Sequence, residues 1–242
     1  MFEIYFFFIY FFIITTLQSV VGVGILVLGT PFLLILDYNM VEIFFTLLPL
    51  SIITSFLNFV FLKLINKNFK EITNKALYKF FIVCIPFIII GLLILKFFQS
   101  YINFKYLVSI IIILSVIIVT YKDKIKFKIN FFRISILSIV GVVHGLTNSG
   151  GTLMSLTIST NNKKNLARYN ITFFYLILAI VQYFLTVLIF YNDFFIPDLE
   201  LFVVIIFGII TGNKINNLVS EKKFKLLINF LAISTSTLLI LN

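Results

Sequence analysis

The sequence predicts an all-α integral membrane protein made of two inverted repeats, each a re-entrant or broken helix hairpin followed by three transmembrane helices. Hydropathy, the length of two apolar runs and the signs of the loop charges lead to this reading. Of the 242 residues, 61% are hydrophobic and 12% charged, with a mean hydropathy of +1.16. A soluble domain carries about twice that share of charge, roughly 25%. The chain falls into eight uncharged runs, 4–36, 43–62, 80–95, 106–121, 134–162, 169–192, 201–213 and 226–242. Most reach the ~20 apolar residues that cross a bilayer, and 201–213 does so once Ile196 to Leu199 are added.

Taken in order, the first run, 4–36, is too long for one crossing. As a continuous helix it would extend roughly 50 Å against a ~30 Å hydrocarbon core. It is interrupted by Gln18-Ser-Val-Val-Gly-Val-Gly24 and Gly29-Thr-Pro31. Three ordinary spans follow. The run 134–162 is again long, roughly 43 Å as one helix, and is interrupted by Gly141-Val-Val-His-Gly-Leu-Thr-Asn-Ser-Gly-Gly-Thr152, which holds the protein's single histidine. Three further spans complete the chain. Setting Gln18 on His144 places Ser19 on Gly145, Gly22 on Asn148 and Gly24 on Gly150. The repeats are therefore read as 1–121 and 134–242, joined by a cytoplasmic basic linker, 122–133.

Charge decides between re-entrant hairpins and eight plain crossings. Every Lys and Arg except Lys96 and Lys105 lies in 63–79, 122–133, 163–168 or 214–225. With eight crossings, 122–133 and 163–168 would fall on opposite faces, against the positive-inside rule. If 4–36 and 134–162 each enter and leave on one side, all four basic segments become cytoplasmic. The acidic positions Asp37, Glu42, Asp193, Asp198 and Glu200 become external, as do both termini. A three-crossing unit used twice must be inverted, an architecture common among transporters. Plain crossings with packing glycines are the alternative. The net charge of +10 is thus a topology signal, and no nucleic-acid partner is expected. The N-terminal stretch has no basic region of the kind that opens a cleaved signal peptide.

Glycine and polar side chains at membrane depth cost helix stability and solvation, so a lipid-facing helix has no use for them. Where a helix restarts after a break, its first amides lack partners and carry partial positive charge. Two such starts favour a small anion, held by Gln18, Ser19, Gly22 and Gly24 from the first hairpin. From the second come His144, Gly145, Thr147, Asn148, Ser149, Gly150, Gly151 and Thr152. His144 titrates near neutrality when unperturbed and is the expected contact with substrate or proton. Asn58, Asn170, Gln182 and Arg168 are secondary pathway candidates, the last as an anion attractor at the cytoplasmic mouth. Thr54, Ser55, Thr172 and Tyr175 are further polar positions on the same helices. Phe side chains read as lipid-facing filler, and Cys84, next to Pro86, as a packing residue. No acid interrupts any apolar run, and no catalytic set, metal cluster or phosphate loop is visible, so neither an enzyme nor a cofactor is expected.

Several motifs resemble those of the TauE/SafE sulfite-exporter family. Gly22-x-Gly24 followed by Pro31 is similar to its first glycine-rich signature, with Ile25 and Leu26 in place of glycines. Gly141-x-x-x-Gly145 with Ser149-Gly150-Gly151 is similar to the second, with Thr157 where proline is frequent. Ile85-Pro86 with Gly91, Phe207-Gly208-x-x-x-Gly212 and Arg168-Tyr-Asn-Ile-Thr172 resemble its other segments. The resemblance implies a multi-pass permease of a bacterial inner membrane that carries small sulfur-containing or organic anions such as sulfite, sulfonates or sulfoacetate. The partners expected are the anion and the bilayer, with homo-oligomerisation left open. A non-transporting membrane assembly or interaction protein is the competing reading.

Overall fold

A computed structural model describes residues 2–65, 73–120, 133–190 and 199–241. The basic segment 122–133 lies outside them apart from Arg133, as do Lys67, Lys70, Asp193 and Asp198. The described residues form ten α-helices and no strand. They are α1 (Phe2–Val21), α2 (Ile25–Ile35), α3 (Met40–Ile65), α4 (Asn74–Phe98), α5 (Phe104–Thr120), α6 (Ile134–Thr147), α7 (Gly150–Asn161), α8 (Lys164–Phe190), α9 (Leu199–Leu218) and α10 (Glu221–Leu241). Five of these, α3, α4, α8, α9 and α10, are long and apolar enough to cross a membrane. Their outer faces carry large apolar side chains, such as Ile82, Phe97, Phe184, Leu188, Phe207 and Phe230, a surface suited to lipid. The chain is an all-α, multi-pass membrane protein.

Both long runs are split. α1 ends at Gly22, whose φ of +88° suits glycine, and α2 doubles back along α1. Tyr10 stacks on Phe32 with ring centroids 3.7 Å apart, and its hydroxyl donates to the Leu28 carbonyl at 2.8 Å. α6 ends at Asn148, also left-handed with φ 60°, a conformation asparagine tolerates better than most residues. α7 then folds back on α6, with Gly150 against the Val140 carbonyl and His144. Gly24 lies in the same way against the Ile14 carbonyl and Gln18.

Polar turn residues start the long helices. Asn39 Oδ1 accepts from the Val41 and Glu42 amides at 3.0 Å each, and Glu42 Oε2 accepts from the Asn39 amide at 2.9 Å. This reciprocal cap opens α3. Thr73 caps α4 through the Ala76 amide, and Asn103 Oδ1 caps α5 through the Tyr106 amide at 3.4 Å. Across the chain, α1 packs along α9 and α6 along α4, while α3 meets α8 and α5 meets α10. α2 and α7 are held against these last two pairs and touch each other.

Glycine sets the two long crossings. On α6, Gly141 rests on the Cys84 carbonyl and Gly145 on that of Ile88, while Gly91 of α4 meets Val142. On α9, Gly208 lies against Thr15 and Gly212 against the Thr16 carbonyl and Ser19. Backbones approach this closely only where one partner lacks a Cβ. Cys84 is buried in the first crossing, as a packing residue should be. The phenylalanines divide. Phe11, Phe44, Phe80, Phe174 and Phe224 are fully buried, so the reading of phenylalanine as lipid-facing filler holds only for the outward set.

Gly145→Val and Gly212→Val should each lower the unfolding temperature of the detergent-solubilised protein, by an amount equivalent to about 1–3 kcal/mol of overpacking. Ile139→Val, on a half-exposed outward position, should leave it within about 0.5 kcal/mol.

Candidate functional site

The two hairpin tips are built on matching positions but satisfied differently. At the first, Gln18 closes the break. Its Oε1 accepts from the amide of Ile25, the first residue of α2, at 2.8 Å, and its Nε2 donates to Ser55 Oγ on α3 at 3.0 Å. The Gly22 amide returns to the Gln18 carbonyl at 2.7 Å. Ser19 accepts from Asn58 Nδ2 at 2.9 Å. Every polar atom of the Gln18 side chain is therefore committed, and the start of α2 is partly capped by the protein itself.

At the second tip the Asn148 amide returns to the His144 carbonyl at 2.9 Å, the counterpart of the Gly22 bond. His144 stands where Gln18 does relative to the break, yet both its ring nitrogens are buried without a hydrogen-bond partner. Asn148 Oδ1 and Thr152 Oγ1 are buried and unpartnered as well. Helix geometry leaves the Gly150 and Gly151 amides without an i−4 carbonyl. Unsatisfied buried polar atoms are rare and costly. Here four of them surround one helix start.

The tips meet through α2, α7 and α8. Asn148 Nδ2 donates to Thr30 Oγ1 on α2 at 3.3 Å. Tyr175 of α8, fully buried, lays its ring edge over Gly151, and its ring centroid is 6.4 Å from that of His144. Along α8 the buried residues Arg168, Thr172, Tyr175, Gln182 and Thr186 share one helical face. Arg168 Nε, Thr172 Oγ1, the Tyr175 hydroxyl and both amide atoms of Gln182 lack partners. On α3, which packs along α8, Ser51 and Thr54 are also buried and unpartnered. Thr186 instead donates to the Gln182 carbonyl.

Arg168 is 4% exposed. Its Nη2 donates to Asn213 Oδ1 at 2.5 Å, Asn213 Nδ2 donates to Asn58 Oδ1 at 3.0 Å, and Asn58 holds Ser19. Among the described residues the ion pairs are Lys105–Asp37 and Lys225–Glu221, and neither involves Arg168. A buried guanidinium thus sits in a neutral amide cage that leads to the first hairpin.

The sequence-derived candidates separate into three groups. His144, Asn148, Gly150, Gly151 and Thr152 gather at the second tip, while Gln18, Ser19, Gly22 and Gly24 build the first. Thr147 and Ser149 satisfy themselves locally, Thr147 Oγ1 on the Val143 carbonyl at 2.8 Å and Ser149 Oγ on that of Thr147 at 3.2 Å. Gly145 faces α4 rather than the tip. Asn58, Gln182 and Arg168 are buried, whereas Asn170 is partly exposed and off the polar face of α8. Tyr175, read from the sequence only as a further polar position, joins the second tip, and Asn213 emerges from the structure. The spacing of Arg168, Thr172, Tyr175 and Gln182 was the available signal for the first. Nothing local marks Asn213. A cavity of about 810 Å³ lies elsewhere, at the α2–α3 and α4–α5 turns around Asp37 and Lys105.

The family model described as Sulfite exporter TauE/SafE matches residues 7–239, nearly the whole chain. No curated protein and no solved structure matches it.

Gln18→Met keeps the side-chain volume but removes the cap on Ile25 and the bond to Ser55. It should destabilise the protein by about 1–3 kcal/mol in detergent unfolding, the cost of stranding buried polar groups.

Proposed function

Because the chain belongs to the sulfite exporter TauE/SafE family, a family of membrane transporters, we propose that it is a permease for small sulfur-containing or organic anions, such as sulfite or sulfonates, working as an exporter in a bacterial inner membrane. One observation carries the reading. His144, Asn148 and Thr152 present buried polar atoms without partners around the start of α7, where the free amides and the helix dipole favour negative charge. An anion between the tips would satisfy groups that the protein leaves open.

The architecture we infer is a pair of inverted repeats with both hairpins re-entrant. The matched elements support it: a left-handed residue at Gly22 and at Asn148, the same backbone return to Gln18 and to His144, and the same seat for Gly24 and Gly150. So does the pairing of α1 with α9 and of α6 with α4. In this arrangement the basic segments face the cytoplasm and Arg168 stands at the cytoplasmic mouth. Arg168 draws the anion inward, the α3–α8 polar face passes it to the tips, and alternation of the halves releases it outside. Export needs little coupling, because each negative charge leaving a negative cytoplasm gains about 2.3 kcal/mol per 100 mV.

A non-transporting assembly protein would account for Gly91, Gly141, Gly145, Gly208 and Gly212, which are consumed in helix packing. It gives no role to the open groups of the second tip. The two readings differ in whether a thiol reagent reaches the tip in Ser149→Cys.

Proteoliposomes loaded with labelled sulfite should release it faster under an imposed potential than empty-lipid controls. His144→Leu and Asn148→Gly, the latter keeping the left-handed backbone, should each cut the rate at least about ten-fold, the loss of one hydrogen bond to a charged group. Rates equal to wild type in both variants would remove the second tip from the mechanism. A reporter fused after Asn242 should read as external, and a cytoplasmic signal would sink the inverted arrangement.

A further inference from the structure

Tyr175 reaches from the second hairpin tip to the start of α2. Its ring occupies the space a Cβ on Gly151 would fill, so that α7 can start where it does only beneath this ring. The His144 ring lies beside it. Its phenol oxygen falls within interaction range of the backbone amides of Leu26 and Val27 at the start of α2, short of a full hydrogen bond to either. With the Ile25 amide already taken by Gln18, the first three amides of α2 all face oxygens of the protein itself. The phenol proton has no acceptor, although the residue is fully buried.

A buried tyrosine normally places its hydroxyl on a partner. A phenol oxygen that leans on the positive end of one helix is polarised as a donor, and here the open groups of the other helix start lie beside it. We propose that Tyr175 is a substrate-contacting residue that donates its hydroxyl proton to the anion held at the α7 start, so that the first hairpin acts on the anion through this phenol rather than through its own amides. The site is then asymmetric. The second tip and His144 bind the anion directly, and α2 contributes through Tyr175. This makes the ligand a small oxyanion with an oxygen free to accept from a phenol, in addition to the oxygen facing the α7 amides. An oxyanion offers a separate oxygen to each donor where chloride offers a single atom, so the pair favours oxyanions over single-atom anions.

The inference rests on the anion-permease reading, and the test separates the two. Sulfite efflux is measured in proteoliposomes of wild type, Tyr175→Phe, Gly151→Ala and the double variant. Folding is checked for each by monodispersity and unfolding temperature. Tyr175→Phe keeps the ring over Gly151 and should raise the KM for sulfite about ten- to a hundred-fold, the loss of a hydrogen bond to a charged group. It should also narrow the preference for sulfite over chloride by a similar factor. Gly151→Ala displaces the ring and should do the same, and the double variant should be no worse than either single one, as coupled neighbours behave. A KM and a chloride preference within two-fold of wild type in folded Tyr175→Phe would overturn the proposal while leaving the permease reading intact. Should Gly151→Ala fail to fold, the Tyr175→Phe comparison decides alone. If wild-type protein neither releases sulfite, ethanesulfonate or acetate above empty vesicles nor gains thermal stability in their presence, the permease reading fails and this inference goes with it.

Discussion

A backbone amide or carbonyl released inside hydrocarbon has no water to turn to, and each one left alone costs several kcal/mol. This chain breaks two apolar helices, so its architecture is constrained by where the freed groups find partners. At the first break the answer is Gln18, an uncharged side chain long enough to reach from the last turn of α1 to the first amide of α2. Its other end is tied to Ser55, which fixes the hairpin to α3. The carbonyl of Val20, near the end of α1, is taken by Asn216 of α9 at 2.7 Å. One break is thus closed by residues from three elements, two of them, α3 and α9, distant in sequence.

Closing the first break with side chains from α1, α3 and α9 requires the surrounding helices to come close, and glycine supplies that proximity. The two long crossings use it in opposite senses. α6 brings Gly141 and Gly145 to side chains and carbonyls of α4, whereas α9 brings Gly208 and Gly212 to Thr15, Thr16 and Ser19 on α1. In the second case the hairpin helix is free to carry polar side chains on its packed face. Ser19 can then receive Asn58, and the amide chain from Asn58 through Asn213 to Arg168 follows. Packing and polarity are therefore one decision at the first hairpin and two separate ones at the second.

Hydropathy and composition made the all-helical membrane class legible, because burial in lipid leaves a direct mark on every residue. The positions of both breaks were also readable, since Gln18 to Gly24 and Gly141 to Thr152 combine residues that a plain span excludes. Which polar groups stay open was not. Gln18 and His144 occupy corresponding places, and nothing in a linear chain says that one bonds Ile25 and Ser55 while the other makes no full hydrogen bond. Both outcomes depend on residues more than five positions away and on the rotation of α3 and α8. Thr147 and Ser149 illustrate the same limit from the other side, because local backbone carbonyls absorb them, as short hydroxyl side chains in helices often do. Gly145 belongs to a sequence signature yet serves a crossing, since a missing Cβ looks the same whether a ligand or a helix takes its place.

Arg168 brings the electrostatics together. A guanidinium removed from water carries a desolvation cost of several kcal/mol, which a carboxylate usually offsets. Here the contact is an amide, Asn213, which orients the group without neutralising it. A carboxylate in that place would compete with any incoming anion and would hold the site closed to it. An amide cage leaves the charge available while satisfying part of its hydrogen-bonding capacity. The same logic runs along α8, where Thr172, Tyr175 and Gln182 are neutral donors rather than charges. Asparagine, where an acid would have made a stronger bond, therefore leaves the Arg168 charge uncompensated, with neutral polar groups beyond it along α8.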